Sequence, residues 1–466
     1  MSEQLYCGWG RTDITPKVPV SLAGYFNIRM WEKVLDRLEA RAIVFKQGDK
    51  YAGIVNLDLI SSAQILVDRV WKKIADLTMF SKENLIFCST HTHTGPEIRS
   101  TVLSGSEECA EDIAGAISLA LRNALKDLQA VDSMVQGETY DNRFIFNRRY
   151  WMKSGGVVTN PGKFNSDILR SEGTVDAEIP MFGVKRNGKL ALLFANIVNH
   201  SDTIGGNNVS ADWPGFARRM IESQMPEGFM FVPVIGTAGN INHFDVASDL
   251  NQTCYAEAER IGSGIAATIL NAINTLKPCC EMPLETRFTE LYCPAHEVSD
   301  EEYNEALATV EKYKDEPDVS KADELTSEDL ARKVPKVLKY FAQQVLLLRD
   351  EPKNANFPLP VILLNGVAVV GVPGEPFVEI GLEIRKRIFN DYRTLVAGHG
   401  PTGHPKLGGG YMPNIWNYNR GGYETTGRSN PFCTQASEML LEAMKKLAKR
   451  SEPCPNYRKL KLSAER

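Results

Sequence analysis

The stretch Asn84-Leu-Ile-Phe-Cys-Ser-Thr-His-Thr-His-Thr-Gly-Pro96 decides how the chain is read. Its first half is a short apolar run of the kind that forms a buried strand. The run breaks at Gly95-Pro96, and just before the break it carries His91 and His93. Residues two apart share a face of an extended chain, so the two imidazoles are expected to point the same way, with Cys88 facing the other side. Two imidazoles at the end of a buried strand can bind a metal, or one can bind it while the other moves a proton beside it. Two histidines held by ordinary hydrogen bonds would leave the same trace in the sequence.

Working outward, Ala42–Phe45, Tyr51–Leu57, Leu190–Val198, Met230–Ile235, Val361–Val372 and Thr394–Ala397 also read as buried strands. Helical periodicity fills Ser61–Leu77, Cys109–Leu128, Trp213–Gln224, Tyr255–Leu276, Pro376–Phe389 and Thr434–Arg450. Strands interleaved with helices predict an α/β fold, with mixed β-sheets flanked by helices around a central metal site. Residues 297–355 are highly charged, with helical period in Asp300–Lys314 and Ser327–Arg349. They are expected to form a helical insertion between two core strands of one catalytic domain spanning residues 1–466.

The net charge of −5 and pI near 5.9 advertise no basic face, which argues against a nucleic-acid partner. The longest apolar run, Val361–Val372, is interrupted by Asn365 and is too short to span a membrane. Met1–Thr15 lacks the apolar segment of a secretory signal, and the nine cysteines contain no C-x-x-C pair. These features lead to the expectation of a cytoplasmic protein with free thiols, acting on a small molecule.

Four further segments put polar groups at strand ends, where α/β folds place their sites. Ala195-Asn-Ile-Val-Asn-His200 delivers a second histidine, followed by a polar loop and by Asp212-Trp-Pro-Gly215. Asp212 is expected to orient a ligand or to cap the helix it opens. Val234-Ile-Gly-Thr-Ala-Gly-Asn-Ile-Asn-His243 supplies a two-glycine turn whose N–H groups would suit an oxyanion, unless it is a plain tight turn. Val369-Val-Gly-Val-Pro-Gly-Glu375 delivers a carboxylate, and Gly408-Gly-Gly-Tyr-Met-Pro413 with Arg420-Gly-Gly-Tyr-Glu424 forms an aromatic, glycine-rich loop.

Taken in order, these motifs resemble the neutral/alkaline, non-lysosomal ceramidase family in its N-terminal catalytic domain. The resemblance runs from Gly10-Arg-Thr-Asp-Ile-Thr-Pro16 and Leu38-Glu-Ala-Arg-Ala42 through Thr90-His-Thr-His-Thr-Gly-Pro96, Asn147-Arg148, Asn199-His200, Gly236–Asn242, Pro373-Gly-Glu375, Gly410-Tyr411 and Tyr423-Glu424. It implies a zinc ion held by His91, His200, Glu375 and Tyr411, with His93, Arg148 and Tyr423 at the reaction centre. Two departures stand out. Asn242 occupies the position of the serine that serves these ceramidases as nucleophile, with His243 beside it. The signal peptide and the immunoglobulin-like C-terminal domain of the secreted members have no counterpart in this sequence.

These expectations describe a zinc hydrolase in which activated water replaces the serine. His93 would act as general acid and base, and Arg148 with Tyr423 would stabilise the oxyanion. His243 would either join the chemistry or cap a turn. The bond cleaved is expected to be the amide of a small N-acyl compound. Alternatives are a C–O bond in a sugar-derived, lactone or ester substrate, which Trp416, Tyr418 and Tyr423 would suit, and a metal-binding protein without catalysis.

Overall fold

The computed structural model describes residues 3–449 apart from 26–27, 100–104, 319–326, 352–353, 406–408 and 428. The principal strands, in chain order, are β1 Leu5–Asp13, β2 Glu39–Gln47, β3 Lys50–Leu57, β4 Leu85–Ser89, β5 Ser133–Tyr140, β6 Glu178–Arg186, β7 Lys189–Ile197, β8 Met230–Ile235, β9 Glu285–Cys293, β10 Ala355–Leu364, β11 Val367–Pro373 and β12 Arg393–Gly400. The helices are α1 Gln64–Lys73, α2 Ser106–Lys126, α3 Asp212–Ser223, α4 Tyr255–Ala272, α5 Asp300–Lys312, α6 Ser327–Arg332, α7 Pro335–Asp350, α8 Val378–Glu383 and α9 Ala436–Ala448. Expected and observed elements agree closely around the site. The α/β class with mixed sheets is the one observed.

Three mixed sheets share one design. Their orders are β4-β3-β2-β1, β8-β7-β6-β5 and β9-β10-β11-β12, with short strands at Gln129–Ala130 and Lys277–Pro278 extending the first two. In each sheet a tight hairpin joins two antiparallel neighbours and one further parallel strand closes an edge. Those parallel pairs are β3 with β4, β7 with β8, and β11 with β12. The hairpins turn at Gly48-Asp49, Asn187-Gly188 and Asn365-Gly366. Asn187 and Asn365 have φ of 51° and 48°, and the glycines after them 73° and 78°. Asn-Gly is the pair that tolerates left-handed backbone at both turn positions. Val361–Val372 is therefore two strands folded on each other, not one; Asn365 interrupts the apolar run because it makes the turn.

Apolar faces from all three sheets converge on one core, which includes Ile43, Ile54, Ile86, Cys88, Phe194, Val234, Val369 and Leu395. Cys88 thus points away from the histidines, as its position implied. Helices α1 and α2 pack on the outer face of the first sheet, and α3 and α4 cover the second. Helices α5, α6 and α7 lie between β9 and β10, which pair antiparallel along their length. No helix among the described residues is long and apolar enough to cross a membrane.

Buried charge braces the first sheet against the second. Arg41 reaches Glu39 and Glu222, and Arg218 reaches Asp58 at 2.6 Å. Asp58 also accepts the hydroxyl of Thr90, next to His91, at 3.2 Å. Burial raises the pKa of Glu39, but Arg218 and Arg41 outweigh it and bring it from 4.5 down to about 2. A carboxylate with a depressed folded-state pKa contributes stability that is present above its unfolded pKa and lost as pH falls. Wild-type stability attributable to this group is therefore expected to disappear between about pH 4.5 and pH 2, by about 3 kcal/mol at most. Urea denaturation of wild type and Glu39→Gln across that range measures it, and the variant's stability curve should be flatter there.

Candidate metal centre

The three parallel strand pairs aim their C-terminal ends at a common point. His91 follows β4, His200 follows β7, Glu375 follows β11, and His399 is the penultimate residue of β12. His91 and His93 do converge, but not because the chain is extended there. Strand β4 ends at Ser89, and His91 adopts a left-handed φ of 64°. That bend brings the two rings edge to face with centroids 4.8 Å apart and their Nε2 atoms 3.2 Å apart.

Hydrogen bonding fixes which ring nitrogen is free. Nδ1 of His91 lies 2.7 Å from the carbonyl of Ile60, and Nδ1 of His200 lies 3.0 Å from that of Ala238. A nitrogen facing a carbonyl oxygen must carry the hydrogen, so on each neutral ring Nε2 keeps its lone pair. Burial holds His200 well below the ordinary histidine range, with Arg148 adding to the effect. The two Nε2 atoms nevertheless sit 3.2 Å apart, and Glu375 Oε2 lies 3.4 and 3.6 Å from them. Apart from these two imidazoles, that buried carboxylate oxygen has no hydrogen-bond partner among the described residues. Three electron-rich atoms facing one another repel unless a cation stands between them. Zinc–ligand bonds of 2.0–2.1 Å in a tetrahedron place ligand atoms about 3.3 Å apart, close to the spacing seen here.

His91, His93 and His200 also form a buried cluster whose ligand atoms lie within 4.8 Å of one another, so two sets of three share the His91–His200 edge. The set with Glu375 is the more compact, and the Oε2 of that carboxylate has no other partner among the described residues. His93 is left as a neutral imidazole beside it, because burial and His91 push its pKa down to about 3. Tyr411 is the parallel partner of Glu375 in a short bridge, and its hydroxyl is 3.5 Å from that of Tyr423. Burial raises the pKa of Tyr411 well above the ordinary phenol range, and that of Tyr423 to about 12.

Arg148 is fully inside the protein. Its Nη2 donates to the carbonyl of Gly239 at 2.7 Å, its Nε lies 3.1 Å from Glu424, and its Nη1 lies 3.4 Å from Nε2 of His200. The guanidinium stacks over both Tyr411 and Tyr423, at 5.2 and 5.5 Å from their ring centres. Burial opposes its charge, but Tyr423, Tyr411 and Glu424 more than compensate.

The Gly236–Asn242 turn has a different job from the one its glycines suggested. The N–H groups of Gly236 and Gly239 are spent on the carbonyls of Ile197 and Pro376, so neither is free for an oxyanion. The turn instead offers carbonyls, from Ala238 to His200 and from Gly239 to Arg148. A Cβ on Gly239 would lie 2.3 Å from the carbonyl oxygen of Glu375, so glycine is needed for the crossing. Asn242 donates to Asn160 at 2.9 Å. His243 has both nitrogens engaged, with Asp202 at 3.1 Å and the carbonyl of Gln252 at 2.7 Å. Neither Asn242 nor His243 lines the cavity, whereas Asn160 and Asp202, which they hold, both do. Asp212 accepts the N–H groups of Thr203, Ile204 and Trp213, and Trp213 donates its indole N–H to the carbonyl of His200 at 2.7 Å. Asp212 thus fixes the loop after His200; it is the first residue of α3, whose N-cap, Ala211, has no side-chain cap.

The cavity in front of the centre is about 420 Å³. His91, His93, Arg148, Glu375, Tyr411 and Tyr423 form its floor, and Leu330 of α6 with Leu347 and Leu348 of α7 form one wall. His399, Asp202 and these helix residues are not among the site residues expected from sequence. His399 was legible, since Gly398-His-Gly400 ends an apolar strand just as His91 and His200 do.

No protein-family model matches the sequence, and neither does any curated protein. Solved structures do match. A neutral ceramidase from Pseudomonas aeruginosa superimposes with a TM-score of 0.70 at 18% identity, covering 98% of this chain and 77% of that one. A ceramidase complexed with C2 superimposes with a TM-score of 0.70 at 16% identity, covering 98% and 78%. The resemblance first read from short motifs thus extends to the fold: 98% of this chain superimposes on the neutral ceramidase fold.

Proposed function

We propose that the protein is a metal-dependent hydrolase of an amide bond in a small N-acyl compound, with zinc held by His91, His200, Glu375 and Tyr411. One observation carries this reading. The Nε2 lone pairs of His91 and His200 and the Oε2 of Glu375 face one another at 3.2–3.6 Å. The all-N/O donor set suits zinc, and the ceramidase fold supports the choice of an amide.

A zinc ion in such a site supplies Lewis acidity and makes water acidic enough to attack near neutral pH. The protein's own groups do the rest. Arg148, with Tyr423 beside it, donates hydrogen bonds to the carbonyl oxygen as it gains negative charge. Removing one such donor typically costs about 10²–10³ in rate. His93 starts neutral and accepts the proton released by the attacking water. It then delivers that proton to the amine nitrogen as the C–N bond breaks, so one water yields one carboxylic acid and one amine. Burial of Tyr411 favours its neutral phenol, so a neighbouring cation is what would make it a phenolate ligand. Asn242 and His243 act through Asn160 and Asp202, positioning the rim of the cavity instead of touching the reacting atoms.

Turnover of a panel of N-acyl amides, esters and glycosides, with and without a chelator, tests the proposal. Chelator-sensitive release of amine is expected. Cleavage confined to esters or glycosides would move the function to C–O bonds, and no turnover on any of them would leave a metal-binding protein without catalysis.

A further inference from the structure

His399 is 1% exposed, and neither of its ring nitrogens has a hydrogen-bond partner among the described residues. The hydroxyls of Ser61 and Ser429, each on a residue 5% exposed, are likewise unpartnered. All three side chains line the reaction cavity. The backbone brings them together around Glu375. Ser62 N–H donates to the carbonyl of His399 at 2.9 Å, His399 N–H to that of Gly374 at 3.1 Å, and Tyr411 N–H to that of Ser429 at 3.0 Å. The ring of His399 lies flat on His91, with centroids 3.9 Å apart and planes 15° apart, which fixes its orientation. His399 also sits at a left-handed φ of 58°, a conformation that tends to persist where function requires it.

Buried polar groups without partners are costly, so three of them lining one cavity call for a ligand that satisfies them. We propose that Ser61, His399 and Ser429 form a subsite for a neutral, multiply hydroxylated portion of the substrate, such as a sugar or other polyol. A neutral imidazole offers one donor and one acceptor, and each serine hydroxyl offers both, which matches a run of ligand hydroxyls. None of the three is a cation of the kind that recognises phosphate or carboxylate. This subsite rests on the hydrolase reading and names the substrate class for it.

The test is calorimetric binding to the metal-loaded protein. The probes are N-acetyl-D-glucosamine, N-acetyl-D-galactosamine and N-acetyl-D-mannosamine, each compared with N-cyclohexylacetamide, which has an acetamide on a six-membered ring but no hydroxyls. Sites built to hydrogen-bond a hydroxyl reject the analogue lacking it, so at least one hexosamine is expected to bind more than about 10-fold tighter. That preference should shrink several-fold in the Ser61→Ala/Ser429→Ala double variant and in His399→Phe, with metal content unchanged in the double variant. Equal binding of the cyclohexyl compound, failure of all three hexosamines to bind, or an undiminished preference in the double variant overturns the subsite. If the preference and its loss appear but no amide is ever hydrolysed, the subsite stands and the hydrolase reading falls. If amides are hydrolysed with no preference for hydroxyls, the hydrolase reading stands and the subsite falls.

Discussion

His91→Ala is expected to take the purified protein from about one zinc ion per chain to none, and to abolish hydrolysis with it. The reason is geometric. Among the three histidines and Glu375, His91 makes the three shortest separations, at 3.2 Å from His200, 3.2 Å from His93 and 3.4 Å from Glu375. Its Nδ1 is anchored on the carbonyl of Ile60, so the ring arrives already oriented and its loss cannot be made good by a neighbour's rotation. Losing only a supporting hydrogen bond in a metal site costs about 10–100-fold in affinity, and losing a ligand should cost more. Elemental analysis of the variants also separates the two possible sets of three. Glu375→Gln should lose the metal, whereas His93→Ala should keep it and lose about 10²–10⁴ in rate, the usual contribution of a proton-transferring group. The opposite pattern would assign the metal to the three histidines and overturn the role given to Glu375.

The second large effect is on stability. Glu424 is 0% exposed and faces two arginines, with Arg149 at 2.7 Å and Arg148 at 3.1 Å, and it accepts the hydroxyl of Thr159 at 2.6 Å. Arg149, itself fully buried, is shared with Glu172 at 2.5 Å. Removing one partner of a buried ion pair leaves the other charge uncompensated, at about 3–5 kcal/mol. Glu424→Ala is expected to lose that amount in urea denaturation. Its activity should fall as well, because Arg148 would lose the carboxylate that holds it over Tyr411 and Tyr423. A loss below about 1 kcal/mol would mean that water reaches the network and satisfies the arginines. Glu424→Gln keeps the shape and the bond from Thr159, so it should fall between the two.

Much of the site was legible in the sequence because its logic is local. An apolar run that ends in a histidine or glutamate reads as a buried strand delivering a ligand, and that pattern picked out His91, His200 and Glu375. The same pattern ends in His399, and Asn187-Gly188 and Asn365-Gly366 carry a strong hairpin signal, so these features are equally local. Strand β1 was harder to see, since Gly8 and Gly10 dilute its pattern. Their reason is tertiary: a Cβ would lie 2.1 Å from the carbonyl oxygen of Ala124 at one and 2.4 Å from that of Ala120 at the other, where α2 packs on the sheet. The role of the Gly236–Asn242 turn was equally hidden, because a sequence shows glycines but not where the neighbouring carbonyls point.

By itself, then, the sequence determined which side chains would stand at strand ends, since burial and turn chemistry act over a few residues. It could not determine that Nε2 of His91 and Nε2 of His200 would meet at 3.2 Å, or that Arg148 would find Glu424. Nor could it show that helices α6 and α7 would wall the cavity. Those contacts join residues far apart in the chain, and their distances depend on how three sheets share one core. Only the packed tertiary structure sets them.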